Sequence, residues 1–177
     1  MVRRAASAIK PTGCVYMKTV IYYLSATGNS LYAARFLQDS LEETEIRSIP
    51  EALAEGRSQV EADAVGFVFP LHYMGLPMQV ETFMERLSVA GNPYMFAIAT
   101  CGVPYLGTPF ADAEEILSRK NLHLDAAWYL RLVSNYLPLR DTAAEWRIRI
   151  RAWLAEKKLG KIAKAIRNRE PHSTWQL

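Results

Sequence analysis

The residues best suited to chemistry form a run of small and hydroxyl-bearing side chains, Ser25-Ala26-Thr27-Gly28-Asn29-Ser30. A β-branched and aromatic stretch precedes this run, and apolar residues at helical spacing follow it. The first turn of a helix leaves backbone N–H groups unpaired and carries the positive end of the helix dipole, so it favours an anion. Hydroxyls add donors, and Gly28 permits a turn and close approach of a ligand. The run therefore predicts a phosphate-binding loop.

The run lacks the residues that mark two other kinds of phosphate-binding loop. No lysine follows the glycine, as it does in loops that bind a nucleoside triphosphate with magnesium, and the spacing is not Gly-x-Gly-x-x-Gly. A terminal phosphate is therefore favoured over a pyrophosphate. The alternative is an ordinary helix cap, in which a Ser or Asn side chain satisfies the first turn.

The elements that must position this loop alternate between strands and helices. Apolar or alternating runs predict strands over 18–25, 45–49, 64–69, 93–100 and 124–133. Helical spacing predicts helices over 29–41, 77–87, 108–120 and about 142–169. The last helix is long and basic, and we expect a break near Gly160.

This alternation is typical of an α/β protein, in which helices cover both faces of a parallel sheet. The more polar strand, 45–49, belongs at an edge, and the three most apolar strands belong at the centre. That ranking fits a three-layer, doubly wound sheet of five parallel strands in the order 2-1-3-4-5. Ligands of such sheets bind beyond the carboxyl ends of the strands, where the winding direction reverses. Three loops, 25–30, 70–76 and 101–108, should meet at that point.

Composition and charge limit the class of protein. The chain has 177 residues and is 50% hydrophobic, which suits one folded domain over 17–177 preceded by a flexible arm over 1–16. Cys14 and Cys101 are too few for a disulfide framework or an iron–sulfur cluster, and no apolar run reaches eighteen residues, so we expect a cytoplasmic protein without a membrane span.

Charge divides the chain into an acidic body and two basic ends. Residues 18–140 carry 9 Lys/Arg against 14 Asp/Glu, whereas residues 141–177 carry 9 against 4. A basic end can meet nucleic acid or anionic lipid, but a solvated helix face is the commoner explanation. We therefore expect no nucleic-acid partner.

The phosphate-loop sequence resembles the Ser/Thr-x-Thr-Gly-Asn-Ser/Thr loop of flavodoxins. Two further segments, 65–77 and 96–102, together with Asn135-Tyr136, resemble the flavodoxin domain of EFR-type flavodoxin–ferredoxin fusion proteins. The resemblance covers about residues 18–165 and implies a flavodoxin-like fold that binds FMN. The chain departs from the fusion proteins because it lacks their cysteine-rich ferredoxin segment.

By that resemblance the first loop holds the FMN phosphate, while the second and third loops hold the flat isoalloxazine ring between them. The implied cofactor-binding residues are Ser25, Ala26, Thr27, Gly28, Asn29, Ser30, Pro70, Leu71, His72, Tyr73, Met74, Gly75, Thr100, Cys101, Gly102 and Tyr105. Tyr73 and Tyr105 are the best stacking candidates, and Tyr136 could come near the same crevice. His72 is better explained as a merely hydrogen-bonded histidine, and Cys101 is equally well explained as a small buried residue.

Three functions remain open. The first is a redox protein that passes electrons between FMN and a partner, either a reductase, a ferredoxin-like protein or a small acceptor. The second is an oxidoreductase enzyme of the NAD(P)H-dependent flavin/quinone reductase or protoporphyrinogen oxidase type. The third is a binding protein without flavin. No catalytic triad, carboxylate pair or metal-ligand spacing stands out, so we assign no catalytic or metal-binding residue.

Overall fold

The computed structural model describes residues 17–104, 107–132 and 145–173. In chain order the elements are β1 (Thr19–Tyr23), α1 (Asn29–Ser40), β2 (Thr44–Ser48), α2 (Ile49–Ala54), β3 (Gln59–Glu61), β4 (Ala64–Pro70), α3 (Met78–Arg86), β5 (Ser88–Ala90), β6 (Tyr94–Cys101), α4 (Pro109–Ser118), β7 (Ala126–Arg131) and α5 (Glu145–Arg167). The arm expected at 1–16 and the start of the last helix at 142–144 lie outside the described residues.

Five strands form one parallel sheet in the order β2-β1-β4-β6-β7. This is the predicted order 2-1-3-4-5, because β3 and β5 pair only with each other in a separate two-stranded sheet. The three most apolar strands, β1, β4 and β6, occupy the centre, as their sequences predict. The winding direction reverses between β1 and β4, so the expected crevice lies beyond the carboxyl ends of those strands.

The sheet separates two hydrophobic cores and so forms the middle of three layers. Residues of α2, α3 and α4 pack on one face, and residues of α1 and α5 pack on the other. Successive β1 side chains alternate between the cores: Val20 and Tyr22 lie on the first face and Ile21 on the second. Burial on both faces explains why the central strands read as continuous apolar runs.

Two short strands and one short helix were not predicted from the sequence. β3 and β5 have three residues each, too few for a period of two to stand out. α2 begins directly after β2, with Pro50 in its first turn. The strand ends at Ser48, two residues before Pro50, and the fixed φ of Pro50 suits the first turn of a helix, which the sequence interpretation missed.

The expected break near Gly160 is wrong, because α5 runs unbroken from Glu145 to Arg167. Gly160 is exposed, while Leu159, Ile162 and Ala163 beside it are buried against the sheet. Packing on both sides of the glycine outweighs its weak helix propensity of about 1 kcal/mol. No helix among the described residues is long and apolar enough to cross a bilayer.

Gly66 supports a prediction about the core. It pairs with Phe96 across β4 and β6, and a Cβ at this position would overlap the buried Phe96 ring. We expect Gly66→Ala to lower the free energy of unfolding by about 1–3 kcal/mol, measured by urea titration, because the core is overpacked.

A Phe96→Leu background should relieve much of that loss, since it removes the ring. Gly160→Ala is the matched control: nothing lies within 4 Å of a Cβ there, so the helix should gain up to about 1 kcal/mol. Equal effects of the two alanines would contradict the packing argument.

Candidate functional site

The first loop turns sharply between β1 and α1. Gly28 caps α1 with φ +94°, a left-handed conformation that L side chains rarely adopt. Its N–H donates to Ser25 Oγ at 3.2 Å, and its carbonyl accepts the Tyr32 N–H at 2.8 Å. A Cβ at Gly28 would meet no atom of the protein within 4 Å. The glycine is therefore required by the turn itself, and the space above the loop is open.

The hydroxyls of this loop do not all face the same way. Ser30 is 1% exposed, and its Oγ lies 2.9 Å from Thr100 Oγ1 on β6. Ser25 is half-buried, whereas Ala26, Thr27 and Gly28 are exposed. An anion above the loop would thus meet Thr27 and the first-turn N–H groups of α1, while the Ser30 hydroxyl is engaged in the interior.

Thr100 joins all three loops at the end of β6. Besides its contact with Ser30, its hydroxyl donates to the Phe69 carbonyl at 3.4 Å, and its own carbonyl accepts the Leu71 N–H at 2.9 Å. A hydroxyl has one proton, so Ser30 is the donor when Thr100 donates to Phe69. The side chain of Thr100 is 4% exposed. It lies beneath the loops and positions them.

The second loop presents an exposed tyrosine on a tight turn. The Gly75 N–H donates to the His72 carbonyl at 2.8 Å, and the two residues between them, Tyr73 and Met74, have φ of 45° and 66°. Left-handed φ at both central positions is unfavourable for residues other than glycine. The Tyr73 side chain is fully exposed and that of Met74 is 59% exposed. A strained turn therefore displays two large apolar side chains to solvent.

The second and third loops are fixed to one another at Met74. Its carbonyl accepts the Thr108 N–H at 2.9 Å, and a Cβ on Gly107 (φ +76°) would overlap that carbonyl. Asp112 on α4 accepts from both the Leu76 N–H (3.3 Å) and the Thr108 hydroxyl (3.0 Å). The turn is thus held by the start of α4.

The third loop leaves β6 beside β7. The carbonyl of Cys101 accepts the Leu132 N–H at 2.9 Å, and the Gly102 carbonyl accepts Nε of Arg131 at 3.0 Å. Cys101 is half-buried, and this burial raises its pKa to about 11, although the Lys158 and Arg131 charges oppose the shift. A thiol with such a pKa is neutral at physiological pH and is a poor nucleophile.

Fifteen of the sixteen predicted site residues are described, and they lie on three loops that meet at the carboxyl end of the sheet. Tyr105, together with Asn135 and Tyr136, lies outside the described residues. Sequence reasoning missed Asp112 and Arg131, which fasten the loops. Asp112 stands four positions after Thr108, one more than in a capping box, so no standard sequence signal marks it.

No protein-family model matches the chain. One curated relative, NAD(P)H dehydrogenase [quinone] 1 of Rattus norvegicus, is 28% identical over 130 residues, which are 67% of this chain and 46% of the rat protein. The chain thus spans less than half the length of that relative.

Solved structures of similar fold include two flavodoxins and an oxidoreductase. An archaeal flavodoxin shares 18% identity over 85% of this chain and 99% of its own, with a TM-score of 0.54. A Fusobacterium nucleatum flavodoxin bound to flavin mononucleotide shares 13% identity, with coverages of 86% and 98% and a TM-score of 0.55. Rubredoxin:oxygen oxidoreductase from Desulfovibrio gigas shares 17% identity over 86% of this chain and 36% of its own, also with a TM-score of 0.55. The chain has the flavodoxin-like fold.

The raised pKa of Cys101 predicts slow alkylation. In a Cys14→Ser background at pH 8.5, we expect iodoacetamide to label the folded protein about a hundredfold more slowly than a free cysteine, because little thiolate forms below pH 11. Mass spectrometry over a time course gives the rate. Unfolding in urea should restore rapid labelling, and equal rates in the folded and unfolded chains would contradict the burial of this thiol.

Proposed function

We propose that this chain is an FMN-binding redox protein that passes electrons between the flavin and a partner. One observation carries the proposal. The start of α1, rich in hydroxyls and glycine, and the strained turn that bears Tyr73 lie together where the winding direction of the flavodoxin-like sheet reverses. The flavodoxin of similar fold that was solved with flavin mononucleotide supports the same choice of ligand.

The donor set of the first loop fits a phosphate monoester. Thr27 is exposed beside the open space above Gly28, and the N–H groups of the first turn of α1 point toward the same end of the helix. The helix dipole adds attraction for an anion at that end. Thr27, Asn29 and the backbone N–H groups would hold the phosphate, and Ser30 would support them from below.

The second and third loops fit a flat ring with apolar faces and a polar rim. Tyr73 offers an aromatic platform that stands free of the core. The resemblance to flavodoxins implies that backbone groups from Cys101 to Val103 would form hydrogen bonds with the polar edge of the ring. A bound flavin would supply the one- and two-electron chemistry, while the residues of this chain orient the ring and exclude water from one face.

A comparison of FMN with riboflavin tests the phosphate site, because only FMN carries the phosphate. We expect Thr27→Ala to weaken FMN binding by about 10- to 100-fold, the loss typical of a hydrogen bond to a charged group, and to leave riboflavin within about twofold. Flavin fluorescence titration measures both affinities.

Two controls accompany that titration. Tyr73→Ala should weaken FMN and riboflavin alike, by about tenfold, because ring stacking does not involve the phosphate. Thr44→Ala, at the opposite end of the sheet on β2, should change neither. Equal losses of both ligands in Thr27→Ala would show that the loop is not a phosphate site, and no FMN binding at all would leave the loop as a helix cap.

An oxidoreductase enzyme is the second candidate, and the similarity to the rat NAD(P)H dehydrogenase [quinone] 1 favours it. Anaerobic addition of NADPH to the FMN-loaded protein separates the candidates by absorbance. For the carrier we expect no bleaching by NADPH alone and full bleaching by dithionite. Bleaching by NADPH without a partner protein would establish the enzyme instead.

For the carrier, we propose that the electron partner is a reductase, a ferredoxin-like protein or a small acceptor. The resemblance to the flavodoxin domain of EFR-type fusion proteins implies an iron–sulfur partner, and this chain has too few cysteines to supply one itself. A reductase or a ferredoxin-like protein would therefore dock against the loops that display Tyr73 and Met74.

A further inference from the structure

The outward face of α5 carries a row of exposed apolar side chains. Trp146, Ile150, Trp153 and Leu154 recur at helical spacing, and each is between 48% and 58% exposed. These are large side chains, and exposing several of them together on one helix is costly in water unless something covers them.

This row is distinct from the stripe that anchors the helix. Ala155, Leu159, Ile162 and Ile166 are buried in the core on the β7 side of α5. The helix is therefore held by its own buried stripe, and none of the four exposed side chains belongs to that core. The exposed row belongs to the N-terminal half of the helix, whereas the buried stripe runs through its C-terminal half.

Basic side chains accompany the exposed row. Residues 145–167 contain eight Lys/Arg against two Glu. The Lys157 Nζ lies 3.6 Å from the centroid of the Trp153 ring, and the exposed Lys161 and Lys164 follow Lys157 toward the C-terminus. Of the two acids, Glu156 accepts a hydrogen bond from the Tyr32 hydroxyl on α1 at 2.8 Å. The lysines thus extend the basic surface beyond the apolar row, toward the C-terminus of the helix.

The exposed row borders the candidate site. A cavity of about 440 Å³ lies between α5 and the end of β7, with Trp146, Ile150 and Leu154 on the helix side, and with Arg131 of β7 and Pro104 of the third loop opposite them. Whatever covers the row therefore lies next to the loop that leaves β6.

We propose that this face of α5 docks on an anionic lipid bilayer. The indole and aliphatic side chains enter the boundary between headgroups and acyl chains, where tryptophan is enriched. The lysines meet the lipid phosphates and lie along the surface. A bilayer matches this face because it offers a fluid apolar layer beneath a continuous sheet of negative charge. The docking does not depend on flavin binding, so it can be tested in the absence of FMN.

Flotation with vesicles tests this surface in the full chain. We expect binding to vesicles of equal phosphatidylglycerol and phosphatidylcholine at 50 mM salt, weaker binding at 500 mM salt, and none to phosphatidylcholine alone. Trp153→Ser with Ile150→Ser should weaken the partitioning at least tenfold. Met78→Ser, which removes an exposed apolar side chain on α3, is the matched control and should have no effect.

A second pair of variants tests the charge. Lys161→Gln with Lys164→Gln should weaken partitioning about 25-fold, since each basic residue near an anionic surface contributes about a factor of five. Arg35→Gln with Arg86→Gln removes the same number of charges from α1 and α3 and should have little effect. All four positions are exposed, so circular dichroism should show unchanged folding.

Other occupants of this face give different results, and each would overturn the proposal. A dimer that forms without lipid and that Trp153→Ser with Ile150→Ser dissociates would assign the face to a second copy. Absence of binding to anionic vesicles would assign it to another segment of the chain or to an acidic protein. Equal losses in the α5 charge pair and the Arg35/Arg86 pair would reduce any binding to an effect of net charge.

Discussion

The buried hydrogen bond between Ser30 and Thr100 is the contact on which the candidate site depends. Ser30 lies in the first turn of α1 and Thr100 at the end of β6, and both side chains are almost fully buried. A buried hydroxyl that loses its partner costs about 1–3 kcal/mol, so each of these residues requires the other. Because the Thr100 hydroxyl also donates to the Phe69 carbonyl and the Thr100 backbone carbonyl accepts the Leu71 N–H, this one residue links α1, the end of β4 and the second loop.

The second loop keeps a strained turn at the surface of the protein. Tyr73 and Met74 both adopt left-handed φ, which the turn retains because Met74 is bonded to Thr108 and faces a glycine at position 107. The start of α4 thus stabilises a turn that its own residues disfavour. The turn therefore presents the fully exposed Tyr73 ring at a fixed place on the backbone, where a flat ligand can contact it.

The helix α5 has two distinct surfaces, one buried in the core and the other exposed to solvent. Its buried stripe completes the second core, opposite α2, α3 and α4, and its outward face combines indole rings with lysines. The acidic body and basic end seen in the sequence correspond to this division, because the basic residues cluster on a helix that covers one face of the sheet. Net charge would therefore be a poor guide to how this molecule meets its partners, and the local field is the relevant quantity.

The sequence by itself determined the layered α/β architecture, the five main strands with their order, and the loop that precedes α1. These features depend on local signals: apolar runs of strand length, helical spacing, and the hydroxyl–glycine composition around Gly28. Only the tertiary structure decided that the Ser30 hydroxyl faces inward, that β3 pairs with β5, and that α5 continues through Gly160. Each of these depends on contacts between distant residues, such as Ser30 with Thr100 seventy positions away. A local pattern can place a hydroxyl on a helix turn, but its hydrogen-bond partner exists only once the sheet has brought the two together.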